Sequence, residues 1–260
     1  MRGAGSPLPS ALHTHAAMTD GADAVSDDHA GRRWDGVRLA IGTLTVVQVS
    51  PPRLLTAGVA GTAMLLAPVA ALPLALASIV VMVLAASARL PTMAAGALVV
   101  GTLALGSRGL HLDGLADTAD GLASSYDRER ALSVMRSGDV GPAGVVTTVL
   151  VLLVQTACLA SLVPVASTLP GGSVAALVCV VLAVLLSRAM LPLACARGVP
   201  SARTCGLGAS VAGSVSPAAA AVPVVVVAGL GTALLVWAGA DWWRAPIAAL
   251  AALAVTTAVV

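Results

Sequence analysis

Along most of this chain the apolar residues neither alternate nor recur on one helical face; they run on unbroken. Residues 1–33 are polar, sustained apolar character begins near residue 37, and long apolar stretches with short connections follow. Val37–Val49 is too short to cross a hydrocarbon layer of about 30 Å at about 1.5 Å per residue. It predicts an interfacial helix ended by Pro51-Pro52. Leu54–Ala88 is interrupted only by Pro68 and Pro73, and predicts an interfacial or re-entrant piece over 54–67 followed by one span. Further spans are expected over Thr92–Ser107, Ala143–Thr168, Ser173–Leu191, Pro217–Gly239 and Ala245–Val260, with a charged insertion at 108–141. The expected fold class is therefore all-α, a polytopic integral membrane helix bundle of about six spans plus an interfacial N-terminal helix. Residues 1–36 are expected to form a disordered cytosolic tail and 37–260 the membrane-embedded domain.

Composition sharpens this reading. Hydrophobic residues make up 58% of the 260-residue chain and charged residues 10%, against about 25% charged in a soluble domain. The mean hydropathy is +0.97. A disordered protein, a secreted disulfide scaffold and a nucleic-acid binder are excluded on these values. Cys158, Cys179, Cys195 and Cys205 show no C-x-x-C spacing and read as small buried hydrophobes.

The basic residues are all Arg, and their placement sets the parity of the crossings. Arg32, Arg33, Arg38 and Arg53 precede the first span, Arg108, Arg128, Arg130 and Arg136 occupy the insertion, and Arg188, Arg197 and Arg203 sit at and after the end of the 173–191 span. All three groups fall on the cytosolic side if 54–88 crosses once.

The insertion carries the chemistry. It contains Arg108-Gly-Leu-His-Leu-Asp113-Gly-Leu-Ala-Asp117-Thr-Ala-Asp120-Gly121. Asp113, Asp117 and Asp120 recur at i, i+4, i+7 and share one helical face. Like charges at that spacing repel, and the repulsion is relieved if a divalent cation sits between them. Oxygen-only ligands favour Mg²⁺ or Mn²⁺ over zinc, and Mg²⁺ keeps open positions for substrate phosphates. Gly114 and Gly121 leave room for a bulky phosphate ligand. A solvated acidic face, or the carboxylate cluster of a small solute transporter, are the other readings of the same residues.

The block R-G-L-H-L-D-G-L-A-D-T-A-D-G-L, continuing through R-A-L-S-V-M-R-S-G-D-V-G-P-A-G, resembles the signature of the adenosylcobinamide-GDP ribazoletransferase (cobalamin synthase) family. The resemblance is sharp over 108–144 and loose from about residue 50 to the end. Leu186-Ser187-Arg188, Arg197 and Gly206-Leu-Gly208 fit the same family. It implies a Mg²⁺-dependent transferase of the substituted-phosphate-group type, multi-pass in the bacterial inner membrane, with its active site facing the cytoplasm. The implied reaction of cobalamin biosynthesis joins adenosylcobinamide-GDP to α-ribazole, or its 5′-phosphate, and releases GMP. The resemblance assigns Asp113, Asp117 and Asp120 to the metal, and proton transfer to a carboxylate such as Asp117 or Asp120, or to His111. Arg108, Arg136 and Arg188, with Gly114 and Gly121, are the candidates for substrate and phosphate contacts. The lipid bilayer is the other implied partner; nucleic acid is not one.

Two departures accompany the resemblance. Ser137-Gly138 stands where the family commonly carries an acidic residue after Met135-Arg136, and the family's later Gly-Asp-x-Leu-Gly-type segment is absent, so the C-terminus is expected to be truncated. The alternative enzyme, a CDP-alcohol-type phosphotransferase making a phospholipid, wants D-G-x-x-A-R followed by two further Asp residues four apart; after Asp113-Gly114 this chain has Leu115-Ala116-Asp117, with no Arg.

Overall fold

The computed structural model describes residues 31–168, 172–202 and 206–259. The expected tail with His13, His15 and His29 lies outside them up to residue 30, as do Arg203 and Cys205. Residues 31–44 form α1, so the helix begins ahead of residue 37. It also stops earlier than the proline pair: Thr45 turns its hydroxyl onto the Ile41 carbonyl, and the Val46 N–H donates to the Gly106 carbonyl at 2.7 Å instead of continuing the helix.

The 54–88 run breaks into α2 (Ala57–Leu65), α3 (Ala67–Ala70) and α4 (Leu72–Ser87). Pro68 and Pro73 each take a place in the first turn of a helix, where a missing N–H costs nothing. The predicted short leading piece and single longer helix are thus both present. Next come α5 (Thr92–Gly106), α6 (Leu110–Ser124), α7 (Arg128–Ser137), α8 (Pro142–Thr168) and α9 (Gly172–Ala189). The chain ends with α10 (Leu191–Ala194), α11 (Leu207–Val211), α12 (Pro217–Trp237) and α13 (Arg244–Val259). No strand is formed among the described residues.

The fold is an all-α membrane bundle. Pro142–Val163, Val174–Ala194 and Pro217–Trp237 are each long and apolar enough to cross a membrane alone. The other expected spans, α4, α5 and α13, are apolar helices of 16, 15 and 16 residues, short of the roughly 20 a perpendicular crossing takes. α5 and α6 form a broken pair bent by 91°. Large side chains such as Leu153, Val154, Val225 and Leu230 are exposed on α8 and α12, as lipid-facing positions are. Trp237, Trp242 and Trp243 are exposed together at the α12–α13 connection, and Trp is enriched at membrane interfaces.

Packing uses small residues. Met82, Ala95, Val99, Leu159 and Val180 form a buried cluster joining α4, α5, α8 and α9. Gly96 lies so close to the Thr156 carbonyl and the Ala160 backbone that a Cβ has no place. Gly231 of α12 instead makes room for the Leu182 side chain of α9. Without a hydrophobic driving force between helices in lipid, such close backbone approach is what holds them. α9 is the hub, packing against α4, α8, α12 and α13.

Gly96→Ala is expected to lower the melting temperature of the detergent-solubilised protein, by the equivalent of about 1–3 kcal/mol for overpacking. Gly101→Ala, one of the helical glycines with nothing within 4 Å of the added Cβ, leaves it unchanged or raises it. Thermal unfolding of the two variants side by side checks this.

Candidate active site

α6 is aimed by its own entrance. Arg108 (φ 55°) and Gly109 (φ 68°) are both left-handed, which closes α5 and turns the chain through the 91° bend. Left-handed backbone at a non-glycine residue costs roughly 1–2 kcal/mol. The Arg108 guanidinium donates to the Gly42 carbonyl, tying the bend to α1. Arg108, a candidate phosphate ligand, thus has a structural partner.

Of the three aligned carboxylates, Asp120 is buried, Asp117 half-buried and Asp113 exposed in the first turn of α6. Asp120 is fully engaged. Its Oδ2 accepts the Gly141 N–H and its Oδ1 the Gly144 N–H, both at 2.7 Å. Gly141 precedes α8 and Gly144 is its third residue, so one remote carboxylate satisfies two of the donors a helix start leaves unpaired. It also places a negative charge at the positive end of the α8 dipole. Neither glycine could accept a Cβ, because Asp120 already fills the space.

The Asp113 and Asp117 carboxylates have no hydrogen-bond or ion-pair partner among the described residues. Nor do three His, Cys, Asp or Glu side chains converge as a metal group there. The expected three-carboxylate cluster therefore becomes a pair, with Asp120 assigned to the α8 terminus. The pair suits a hard cation: two oxygen donors one turn apart, without a protein counter-charge, leave positions for water and phosphate. Gly114, beside them, faces open space. Gly121 departs from expectation, since a Cβ there would crowd Met135 and the Ala131 carbonyl of α7. Its absence lets α7 pack on α6 rather than making room for a ligand. Arg136 is exposed at the end of α7, its Nε donating to the Leu132 carbonyl at 2.9 Å.

His111 sits roughly half a turn around α6 from the acidic face. It lines a cavity of about 420 Å³ walled by α5, α8 and α9, including Leu103, Leu152, Gln155 and Val184. Ser107, Ser187 and Arg188 share its lining. Cys158, expected to be buried, is exposed and lines it with Cys179. Burial first, and the Arg188 charge second, hold the His111 imidazole down at about 4 from 6.5, so it is neutral at physiological pH. Its Nε2 is buried without a partner.

Arg188 is 8% exposed, with Nη1 donating to the Ser187 hydroxyl at 3.0 Å and Nε unpaired. Sequence reasoning gave His111 and Arg188 without their shared cavity, and missed Gly141 and Gly144 altogether. The G-P-A-G spacing at the start of α8 was the available signal.

A family model described as cobalamin-5-phosphate synthase matches residues 36–260. Similar curated proteins carry the name adenosylcobinamide-GDP ribazoletransferase. That of Nocardioides sp. is 50% identical over 196 residues, 75% of this chain and 79% of the relative. That of Frankia casuarinae is 39% identical over 138 residues, 52% of this chain and 47% of the relative. That of Pseudomonas savastanoi pv. phaseolicola is 37% identical over 163 residues, 59% and 63% respectively. No solved structure matches the chain.

Two outcomes follow from the site geometry. Asp120→Asn keeps one acceptor but turns an amide donor toward the other N–H, and is expected to cost about 2–3 kcal/mol of stability, read as a lower melting temperature. An imidazole that titrates near 6.5 unfolded and about 4 folded makes stability fall as the pH drops between those values. His111→Gln removes that contribution, so its melting temperature declines less than wild type from pH 7 to pH 5.

Proposed function

The chain belongs to the cobalamin-5-phosphate synthase family, and from that membership we propose how its residues divide the work of a ribazoletransferase. The function that the family and its relatives carry is adenosylcobinamide-GDP ribazole transfer, the cobalamin synthase reaction. One substrate is adenosylcobinamide-GDP; the other is α-ribazole or its 5′-phosphate. A ribazole hydroxyl attacks the phosphorus bonded to the cobinamide side of the diphosphate. The new O–P bond forms as the bond to GMP breaks, and the hydroxyl proton is given up.

Asp113 and Asp117 hold Mg²⁺ in this reading, and the observation that carries it is their unpartnered pairing on α6. Bound there, the cation supplies charge neutralisation at the diphosphate and eases departure of GMP. Asp117, half-buried between the exposed Asp113 and the buried Asp120, takes the hydroxyl proton. Gly114 leaves the phosphates free to approach the carboxylates, and Arg136, exposed at the end of α7, offers guanidinium nitrogens that match phosphate oxygens. Asp120 acts by holding α6 against α8 and keeps this face in place. His111 and Arg188 line the cavity on the other side of α6 and take no part in the step at the carboxylates.

The site faces the cytoplasm in this account. Most described arginines lie at the end of the bundle carrying α1, α6 and α7, while Arg89 and Arg244 lie at the other end; an Arg excess marks the cytoplasmic side. That face belongs to the bacterial inner membrane, where both water-soluble substrates can reach it.

The test is GMP release by membranes containing this chain, supplied with adenosylcobinamide-GDP, α-ribazole 5′-phosphate and Mg²⁺. Wild type is expected to release GMP in a chelator-sensitive way with a matching corrinoid product. Asp117→Asn should lower kcat by roughly 10²–10³, the scale of one lost charge-stabilising group, with the melting temperature unchanged. Full turnover by Asp117→Asn, or turnover indifferent to chelator, would sink the carboxylate-pair reading.

A further inference from the structure

The cavity walled by α5, α6, α8 and α9 holds a buried charge that the reaction at the carboxylates does not use. Arg188, in the last turn of α9, is more than nine-tenths buried. Its one hydrogen bond among the described residues runs from Nη1 to the Ser187 hydroxyl. Its Nε is buried without a partner, and no carboxylate pairs with it there. Nε2 of His111, on the same lining, is a second buried orphan. A lone buried cation is strongly unfavourable, and orphaned polar atoms add to the penalty. An anion between the two side chains relieves both penalties, and the guanidinium fork matches phosphate oxygens.

The rest of the cavity suits hydrocarbon. From Arg188 to Cys179 its α9 wall runs about 13 Å at about 1.5 Å per residue, past Val184 and Val180, with Leu103 of α5 and Leu159 of α8 beside it. The lining residues that are exposed, Gln155, Cys158, Ala183 and Ser187, all belong to α8 and α9. Both helices are long and apolar enough to cross the membrane, and Leu153 and Val154 are exposed next to Gln155. The cavity is therefore reached from the lipid-facing flank of two spans, and its polar end is Arg188 with His111. Its volume of about 420 Å³ lies within the range that encloses a small ligand or part of a larger one.

We propose that this cavity binds one phospholipid of net negative charge, such as phosphatidylglycerol, with its phosphodiester on Arg188 and His111 and one acyl chain along the apolar wall. Basic pockets between spans take anionic lipid headgroups in this way. The single guanidinium balances a single phosphodiester charge. A zwitterionic lipid also brings an ammonium, for which the lining offers no carboxylate. A phosphate held from both sides ties α6, through His111, to α9, through Arg188. The site lies across α6 from Asp113 and Asp117, and the inference does not rest on the transferase reading.

Native mass spectrometry of the detergent-solubilised full chain, titrated with phosphatidylglycerol and separately with phosphatidylcholine, tests the proposal. Wild type is expected to bind a first phosphatidylglycerol about tenfold or more tightly than phosphatidylcholine, the scale of charge-assisted hydrogen bonds. Arg188→Gln abolishes that preference, and Arg188→Lys keeps part of it. Arg130→Gln, at an exposed position on α7, leaves it intact. Ala183→Phe puts bulk into the cavity from an exposed position on α9. It weakens phosphatidylglycerol binding without touching a charge, and gives the reading if Arg188→Gln does not fold. Inorganic phosphate and glycerol 1-phosphate separate the lipid from a free anion: neither is expected to displace phosphatidylglycerol, and displacement by either assigns the cavity to a water-soluble anion and overturns the proposal. It is overturned equally if wild type shows no preference, or if Arg130→Gln loses as much of it as Arg188→Gln. Binding as tight as wild type in Arg188→Gln, or in Ala183→Phe where the first variant does not fold, also overturns it.

Discussion

The two bonds from Asp120 to the Gly141 and Gly144 amides fix the relation of α6 to the bundle. A helix start carries unpaired N–H donors, and near a membrane they need acceptors as much as any buried polar group does. Here the acceptor comes from another helix. α8 cannot cap itself, because its first turn begins Gly-Pro-Ala-Gly and offers no side-chain oxygen. The same lack of side chains is what lets Asp120 approach. One contact therefore terminates a membrane span and docks the amphipathic helix that bears the acidic residues.

With α6 held in this way, its two sides become distinct environments. The Arg108–Gly109 turn sets the helix across the end of α5. One side then carries Asp113 and Asp117, open and without protein partners; the other puts His111 on the cavity with Arg188. Opposite charges are thus kept apart by the width of a helix: an unpartnered carboxylate pair on one side and a buried guanidinium on the other.

Much of this was legible in the sequence, for physical reasons. Five apolar runs gave their helices, α5, α8, α9, α12 and α13, to within a residue or two, since in lipid a run of that kind has few other ways to satisfy its backbone. Pro68 and Pro73 marked the breaks. The fold class and the family followed from the runs and from the block at 108–144. Both ends of α1 lie earlier than expected, the later one because Thr45 and Val46 find partners sooner than the proline pair compels. The three aspartates share a face, as their spacing requires, but spacing cannot reveal what the face meets. Asp120 meets amides, which carry no side-chain signature in a sequence. Gly121 looked like room for a ligand and proved to be room for Met135. Arg188 and His111 are 77 positions apart in the sequence; only the packing of α9 beside α6 and α5 puts them in one cavity.

Amide hydrogen exchange over residues 138–146, with and without Mg²⁺, bears most directly on the role given to Asp120. Wild type should protect the Gly141 and Gly144 amides whether or not metal is present, and Asp120→Asn should lose that protection in both conditions. Protection in wild type that appears only with Mg²⁺, or that persists unchanged in Asp120→Asn, would contradict the account and return Asp120 to the cation.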